Sequence, residues 1–403
     1  MQTSVIRRSS DKLDHWVERA QWKAYDTFDG LSSPYARLVT LKRPVLEQLF
    51  QQAVRRFPIN LRRPLGIRPS MSTKAMGFFA QGYLRRYQSR GDAVSLEKAR
   101  FCLQWLKDNR STQFRGYCWG NHFDYRARGG EIPKGTPTIV WTGLIAHAFL
   151  DAYELLGDEE YLAVAKSACD FILDELGWME FREGIVLRYY PGAQILVHNS
   201  SMIGASLLAR VSSVAAETRY RDMSEAAIRF TLYHQTAEGA WYYGVGKKWA
   251  WIDSFHTGYV LEALSTFIRH MDAARYERAL RLGYRYFVET FFSADGTPRY
   301  YAQKTSPVDI QCASQAIQTL MNLRHLHPDS VSTALKVAAW TIANMQDKTG
   351  YFYYRKYALI TNKTPTLHWG QATMFASLAL LEQYLGARTL CDREDGGQVK
   401  ASS

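Results

Sequence analysis

Several features that would settle function quickly are missing from this 403-residue chain. It has no uncharged apolar run of 18 residues, so no membrane span is expected. Its N-terminal stretch, "MQTSVIRRSSDKLDHW", lacks an apolar h-region, and no secretory signal is expected. Without export, the "NKT" sequon at Asn362 carries no meaning. The five cysteines (Cys102, Cys118, Cys169, Cys312, Cys391) are scattered and form no CxxC, which reads as reduced thiols in a cytoplasmic protein. There is no HxxxH, no His/Asp triplet at ligand spacing, no glycine-rich phosphate loop and no GxSxG. Neither a metal nor another cofactor is therefore expected. Low-complexity tracts are absent too, and the length suffices for one large core or two modest ones.

Aromatic residues, by contrast, are plentiful: 14% of the chain, with 25 Tyr and 11 Trp. They suit aromatic core layers and equally a surface that stacks on flat ligands, sugars among them. The net charge of +12 is uneven. Residues 1–100 hold 19 Lys/Arg against 8 Asp/Glu, and the remainder is nearly neutral. "RRFPINLRRPLGIRP" (Arg55 to Pro69) is the densest part. It reads either as a solvated collar with structural arginines or as a face for an acidic membrane surface, an anionic polymer or an acidic partner. No nucleic-acid-binding motif accompanies the charge, so nucleic acid is not an expected partner.

The chain also repeats itself. Six apolar runs begin at Thr73, Thr142, Ser201, His256, Cys312 and Trp369, spaced 55 to 69 residues apart. Most are nearly free of charge around the whole circumference, and a helix apolar on every face is buried on every face. Each of the first five is followed by an amphipathic segment such as "EKARFCLQWLKDN", with apolar residues at three- and four-residue steps. Twice the turn between them is Gly-Asp (Gly91-Asp92, Gly157-Asp158): Gly ends one helix and Asp caps the next. Short glycine-aromatic segments such as "GYCWG" and "GYFYYR" read as extended returns to the next inner helix. The expected fold is all-α, an (α/α)6 toroid with short extended return segments at its mouth. An open solenoid is the alternative, but no polar capping repeat is present. The sixth unit has no outer helix after Gly386; an N-terminal helix, 11–24 or 44–56, is expected to close the ring. The organisation is then a basic helical segment over 1–60, a barrel over 61–388 and a disordered tail over 389–403.

In a closed ring, whatever precedes each inner helix gathers at one mouth. Those segments concentrate polar residues that the helix interiors lack. Asp253 and Asp309 stand just ahead of inner helices four and five, and His256 opens the fourth. Either Asp alone reads as an N-cap, and a lone His as a satisfied structural residue. Together they offer acid–base chemistry: two carboxylates for glycosidic cleavage, or His with a carboxylate for proton abstraction at C5 of a uronic acid. Asp253, Asp309 and His256 are the candidate catalytic residues. The candidate substrate-binding set is Trp119, His122, Asp124, His198, Asn199, Trp251, Tyr301, Lys304, Gln311, Arg355, His368 and Trp369, rings for sugar faces and polar groups for hydroxyls or carboxylates.

"WIDSFHTGYVLEAL", "GTPRYYAQKTSPVDIQCASQAI", "MQDKTGYFYYRKY" and "NKTPTLHWGQATMFASLALLE" resemble a family of bacterial polysaccharide-biosynthesis proteins found with exopolysaccharide and capsule gene sets. Some members carry a misleading aminolevulinate-dehydratase label. The resemblance runs from about Phe57 to Leu385 and includes the "CWG…FDY…PKGTPTIVWT" block. It implies a six-hairpin glycosidase-type toroid, a fold shared with unsaturated glucuronyl hydrolases, uronate epimerases and polysaccharide lyases. Where relatives read DIHS this chain reads DIQC (Asp309-Ile310-Gln311-Cys312); were that His catalytic, activity would be in question here. The expected partner is a polysaccharide or lipid-linked oligosaccharide, and the expected protein a glycan-modifying enzyme of the cytoplasm or its membrane surface. The alternatives are a non-catalytic glycan-binding or scaffold component of an export system, and a prenyl-type toroid enzyme, against which the wet, His/Asn/Lys-rich mouth speaks.

Overall fold

The structure, a computed structural model, describes residues 2–398, with side chains described over 3–387. An N-terminal helix α1 (Gln2–Arg19) is followed by a short α2 (Ala36–Thr40) and by α3 (Pro44–Arg56). Six inner helices then alternate with outer ones. The pairs are α4 (Thr73–Arg90) with α5 (Ala93–Asp108), α6 (Ile139–Leu156) with α7 (Glu159–Asp170), and α8 (His198–Ala215) with α9 (Thr218–Tyr233). Then come α10 (Ser254–Met271) with α11 (Glu277–Thr290), α12 (Ile310–Asn322) with α13 (Ser330–Met345), and finally α14 (Thr373–Gln398). Each inner helix packs on the next, and α14 packs back on α4, so the ring is closed and the solenoid alternative falls. The fold is the (α/α)6 toroid.

Helix α1 supplies the sixth outer position by packing on α14 and α13. It starts nine residues before the expected 11–24 and ends five before it. The second candidate, 44–56, is helical as α3 but lies elsewhere, against the 3-10 turn Asp29–Ser32 and the first hairpin, across the rim of the mouth. The backbone of α14 runs through Gly386 to Gln398. The tail expected over 389–403 falls on residues whose side chains, and from 399 the backbone, lie outside those described, as does the side chain of Cys391. The other four cysteines are buried free thiols.

Local chemistry explains the hairpins. Gly91 and Gly157 end α4 and α6 in the left-handed conformation, with φ of 68° and 70°. Asp92 and Asp158 then accept from the backbone N–H of Ser95 and Glu160 at 2.8 and 3.0 Å, capping the outer helices. Inner helices approach closely where glycine allows it: a Cβ at Gly82 would lie 2.5 Å from the Phe375 ring of α14. Among the described residues one helix, Ile139–Leu156, is long and apolar enough to cross a membrane by length and composition; it is α6, an inner stave of the ring.

The return segments carry the strands. β1 (Tyr125–Ala127) pairs with β2 (Gly130–Ile132), and β3 (Trp178–Phe181) with β4 (Gly184–Leu187), both antiparallel. β5 (Val308–Asp309), β6 (Arg355–Lys356) and β7 (Thr361–Asn362) form a small sheet in which Asp309 opposes Arg355. That sheet ties the fifth return to the sixth.

Candidate functional site

The first turns of the six inner helices converge on the mouth. Contacts follow the rim from ring to ring. The Lys74 ammonium lies 5.1 Å from the Trp141 ring, and Trp141 lies 6.3 Å from His368. Trp369 follows, then Phe255 at 5.9 Å, which touches His256 at 3.9 Å. Asn199 and His256 line one small pocket with Asp253 and Tyr243. These groups enter from five inner helices or their immediate approaches (α4, α6, α8, α10 and α14), which is why residues far apart in sequence meet.

Two histidines are each held by a carboxylate. In the fourth segment, Asp253 caps α10: its Oδ1 accepts from the His256 backbone N–H at 2.9 Å. Its Oδ2 accepts from Trp251 Nε1 at 3.0 Å and faces His256 Nδ1 at 2.7 Å. A carboxylate only accepts, so Nδ1 is the donor and Nε2 is the ring nitrogen left for another partner. In the sixth segment, His368 stands in a π-helical turn (Leu367–Ala372) ahead of α14, with Nδ1 3.0 Å from Asp26 Oδ2. By the same argument its Nε2 is the nitrogen left over, and that atom is buried without a protein partner. Burial, aided by the Lys74 charge and opposed by Asp26, lowers His368 to about 4, so it is neutral at pH 7. Burial would raise Asp26, but the charge and hydrogen bond of His368, together with His122, hold it well below the usual carboxylate range. Burial lowers Lys74 to about 8, with Asp26 opposing, which leaves it a cation near neutrality.

Other polar groups at the mouth are poised for a ligand. Asn199 Oδ1, Gln311 Oε1 and Trp141 Nε1 are buried without a protein partner, each in the first turn of an inner helix. A buried unpaired polar atom costs about 1–3 kcal/mol, and such a concentration in one ring suits a polyhydroxylated molecule. His122 bonds Ser70 Oγ at 2.5 Å and feels Asp26; burial lowers its pKa. Trp369 is half-buried, with Phe28 edge-on at 5.4 Å and the Arg55 guanidinium 5.3 Å from its centroid.

Several sequence expectations need correcting. Asp309 is fully buried, and Arg355 Nη2 and Nε bind its Oδ2 at 2.5 and 3.1 Å while its Oδ1 caps α12 by accepting from Gln311 N–H. Asp309 and Arg355 thus form a buried ion pair in which both carboxylate oxygens already have protein partners. Trp119 is a core residue: it is buried, stacks on Phe149 and donates to the Leu106 carbonyl at 2.8 Å. His198 turns outward to the α9 layer, 3.4 Å from Thr231 Oγ1 and against Phe230; burial lowers it to about 3. Asp124 is exposed and accepts from the Lys134 backbone N–H, fixing the approach to the first hairpin. Tyr301 and Lys304 are exposed on an outer turn of the rim, bridged to each other. Trp251 is at the mouth, but its ring is engaged by Tyr243 stacked at 4.3 Å and Arg128 at 4.6 Å. Gln311 remains at the mouth, its amide donating to Tyr259 Oη at 3.0 Å. Among the described residues no group of three or more His, Cys, Asp or Glu could hold a metal ion.

Asp26, Lys74 and Trp141 are the residues missed. Asp26 arrives from the N-terminal segment by a parallel bridge between Tyr25 and Thr366. The only signal for it in the sequence was a pair of acids, Asp26 and Asp29, around an aromatic in a strongly basic region.

The fold and this mouth define a class, the (α/α)6 toroids. Among solved structures the chain is similar to a cellobiose 2-epimerase from Spirochaeta thermophila, with 15% identity, a TM-score of 0.58, and 80% of this chain and 89% of that one covered. It is also similar to a GH76 α-mannanase from Bacteroides thetaiotaomicron (13%, 0.59, 80% and 88%) and to a D-mannose isomerase (13%, 0.58, 77% and 87%). No family profile matches the chain, and no curated protein does. At such identities the likeness is one of fold.

Proposed function

We propose that this protein is a carbohydrate enzyme that moves a proton at a sugar carbon adjacent to a carbonyl, the chemistry of an epimerase or isomerase. The observation that carries this reading is the pair of Asp-held histidines at one mouth, His256 on Asp253 and His368 on Asp26, each with Nε2 presented. One neutral imidazole removes the C–H proton and the electron pair passes to the carbonyl oxygen as an enolate. The other, having taken a proton from solvent, gives it to carbon as the enolate collapses, and the imidazolium left behind releases its proton to solvent. The Lys74 ammonium beside His368 and Trp141 is placed to stabilise the developing oxyanion. Epimerase and isomerase structures among the neighbours support the same chemistry. Glycoside hydrolysis is less well supported, because one of its two carboxylates, Asp309, is locked to Arg355. Cations at the mouth (Lys74, Arg55, Arg128) suit an acidic sugar, and the resemblance to polysaccharide-biosynthesis proteins suits a glycan precursor handled on the cytoplasmic side.

A second reading, a glycan-binding or scaffold component without catalysis, is favoured by the tightness of the site. The pocket lined by Asn199, Asp253 and His256 has room for about one water molecule. Solvent exchange separates the two. Reducing disaccharides and hexuronates incubated with the protein in D2O should gain deuterium next to the carbonyl. His256→Asn and His368→Asn should each slow that gain by roughly 10²- to 10⁴-fold. Saturable glycan binding with no deuterium uptake would establish the second reading instead.

A further inference from the structure

We infer that α2, the outward side of α3 and the tip of the β6–β7 hairpin form a docking surface for an anionic lipid bilayer. The docking does not depend on the proton-transfer reading.

Among the described residues, eleven of the twenty exposed large hydrophobic side chains fall within residues 35–59 and 359–360. Leu38 is 76% exposed, Leu49 61% and Leu359 101%. Helix α3 buries Val54 and part of Phe50 against Tyr25 and Ile67, yet it carries a second apolar stripe on its outward side. Val45, Leu49 and Ala53, at four-residue steps, face solvent, whereas Gln51 is fully buried. Gln51 exchanges two hydrogen bonds with the Arg126 backbone, both at 3.0 Å. Arg55, also on the inward side, bonds Tyr354 Oη at 3.1 Å. A surface helix normally buries its apolar stripe; one that shows a second, on a contiguous patch, marks a binding face. The hairpin tip belongs to the same patch, because Tyr357 Oη donates to the Arg56 carbonyl at 3.0 Å and Asn362 Nδ2 to that of Phe57 at 2.7 Å.

Charge identifies the occupant. Arg37, Lys42, Arg43, Arg56, Arg63 and Arg68 are exposed on the same segment. Between Asp29 and Asp92 the sequence has one acid, Glu47, and it is neutralised by Arg126 at 2.6 Å. A two-fold contact with a second copy would set this cationic rim against itself. Anionic headgroups complement it, and the exposed Leu, Val, Ile and Phe side chains reach the headgroup–acyl boundary, as in surface-lying amphipathic helices. The inward side of α3 lies over the mouth, with Arg55 against Phe28 and Trp369. A docked molecule therefore holds its mouth toward the bilayer, where a lipid-linked saccharide carries its sugars; this last consequence alone rests on the proposed function.

The test is co-sedimentation of the full chain with phosphatidylcholine vesicles, with and without phosphatidylglycerol, at low and high salt. Binding is expected only to the phosphatidylglycerol vesicles and should weaken with salt. Two paired variants, Leu49→Glu with Leu359→Glu and Lys42→Glu with Arg43→Glu, should each reduce partitioning by about tenfold or more. All four positions are exposed, and unchanged melting verifies folding. Leu359→Trp should shift its emission to the blue on these vesicles and be quenched by brominated lipid. The inference is overturned if the protein stays soluble with anionic vesicles at low salt, if both paired variants bind as the parent does, or if the Leu359→Trp emission does not move. A lipid-free dimer abolished by Leu49→Glu would overturn it in favour of a second copy. Vesicle binding without deuterium uptake would leave docking intact and remove the enzymatic reading.

Discussion

The fourth and fifth return segments make an instructive pair. Each places an Asp at the N-cap of an inner helix, Asp253 for α10 and Asp309 for α12, and each carboxylate accepts a first-turn backbone N–H. Three residues on, the fourth segment has His256 and the fifth Cys312, whose thiol burial pushes far up. The free oxygen of Asp253 therefore meets an imidazole, while that of Asp309 meets Arg355 across the small sheet. On the proposed reading, the same cap serves chemistry in one place and architecture in the other. What separates them is the neighbour in reach, not the carboxylate.

The largest effect expected from this contrast is on turnover. His256→Asn should lower the rate of solvent-proton exchange by roughly 10²- to 10⁴-fold, with little change in stability, because the side chain is partly exposed and the Asp253 cap survives. Asp309→Asn should do the reverse. It leaves Arg355 buried and uncompensated, which costs about 3–5 kcal/mol in folding, while turnover per folded molecule holds. Adding Arg355→Met to Asp309→Asn should recover part of the loss, since a buried pair replaced whole is far less damaging than one halved. Urea titration of the single and double variants reads this directly. If Asp309→Asn abolished exchange in fully folded protein, the two segments would be equivalent and the division drawn between them wrong.

The sequence carried most of the ring but only half of the mouth, and the reason is range. Inner helices were legible because each is apolar on every face, and the Gly91-Asp92 and Gly157-Asp158 turns because cap and stop signals lie within one or two residues. His256 and Asp253 were legible for the same reason: they are three apart on one helix start. Asp26 was not, because its partner His368 lies 342 positions away and is brought to it by a bridge at Tyr25 and Thr366. Trp119 misled because a tryptophan beside a return segment looks alike whether it points into the core or the mouth; its indole N–H, satisfied by Leu106, decides the matter only in three dimensions. The outward apolar stripe of α3 was present in the spacing of Val45, Leu49 and Ala53. It reads as ordinary amphipathicity until the direction of burial is known.

A third cap-proximal pair, Asp26–His368, extends the comparison to pH. In the folded protein His368 is held to about 4, against 6.5 for the free side chain, chiefly by burial. A histidine with a lowered folded value adds stability that is complete above about 6.5 and is lost as pH falls toward 4, because the unfolded chain takes up the proton first. The slope contributed is at most about 1.4 kcal/mol per pH unit in that window. Replacing His368 by Gln retains a donor for Asp26 and removes the titration. The difference in unfolding free energy between parent and His368→Gln should therefore be constant above pH 7 and shrink as the solution is acidified from 6.5 to 4. Denaturant titrations across that range measure it. Parallel curves would mean that His368 is not kept neutral by its site, and a neutral imidazole with Nε2 open is what separates this pair from the Asp309–Arg355 lock.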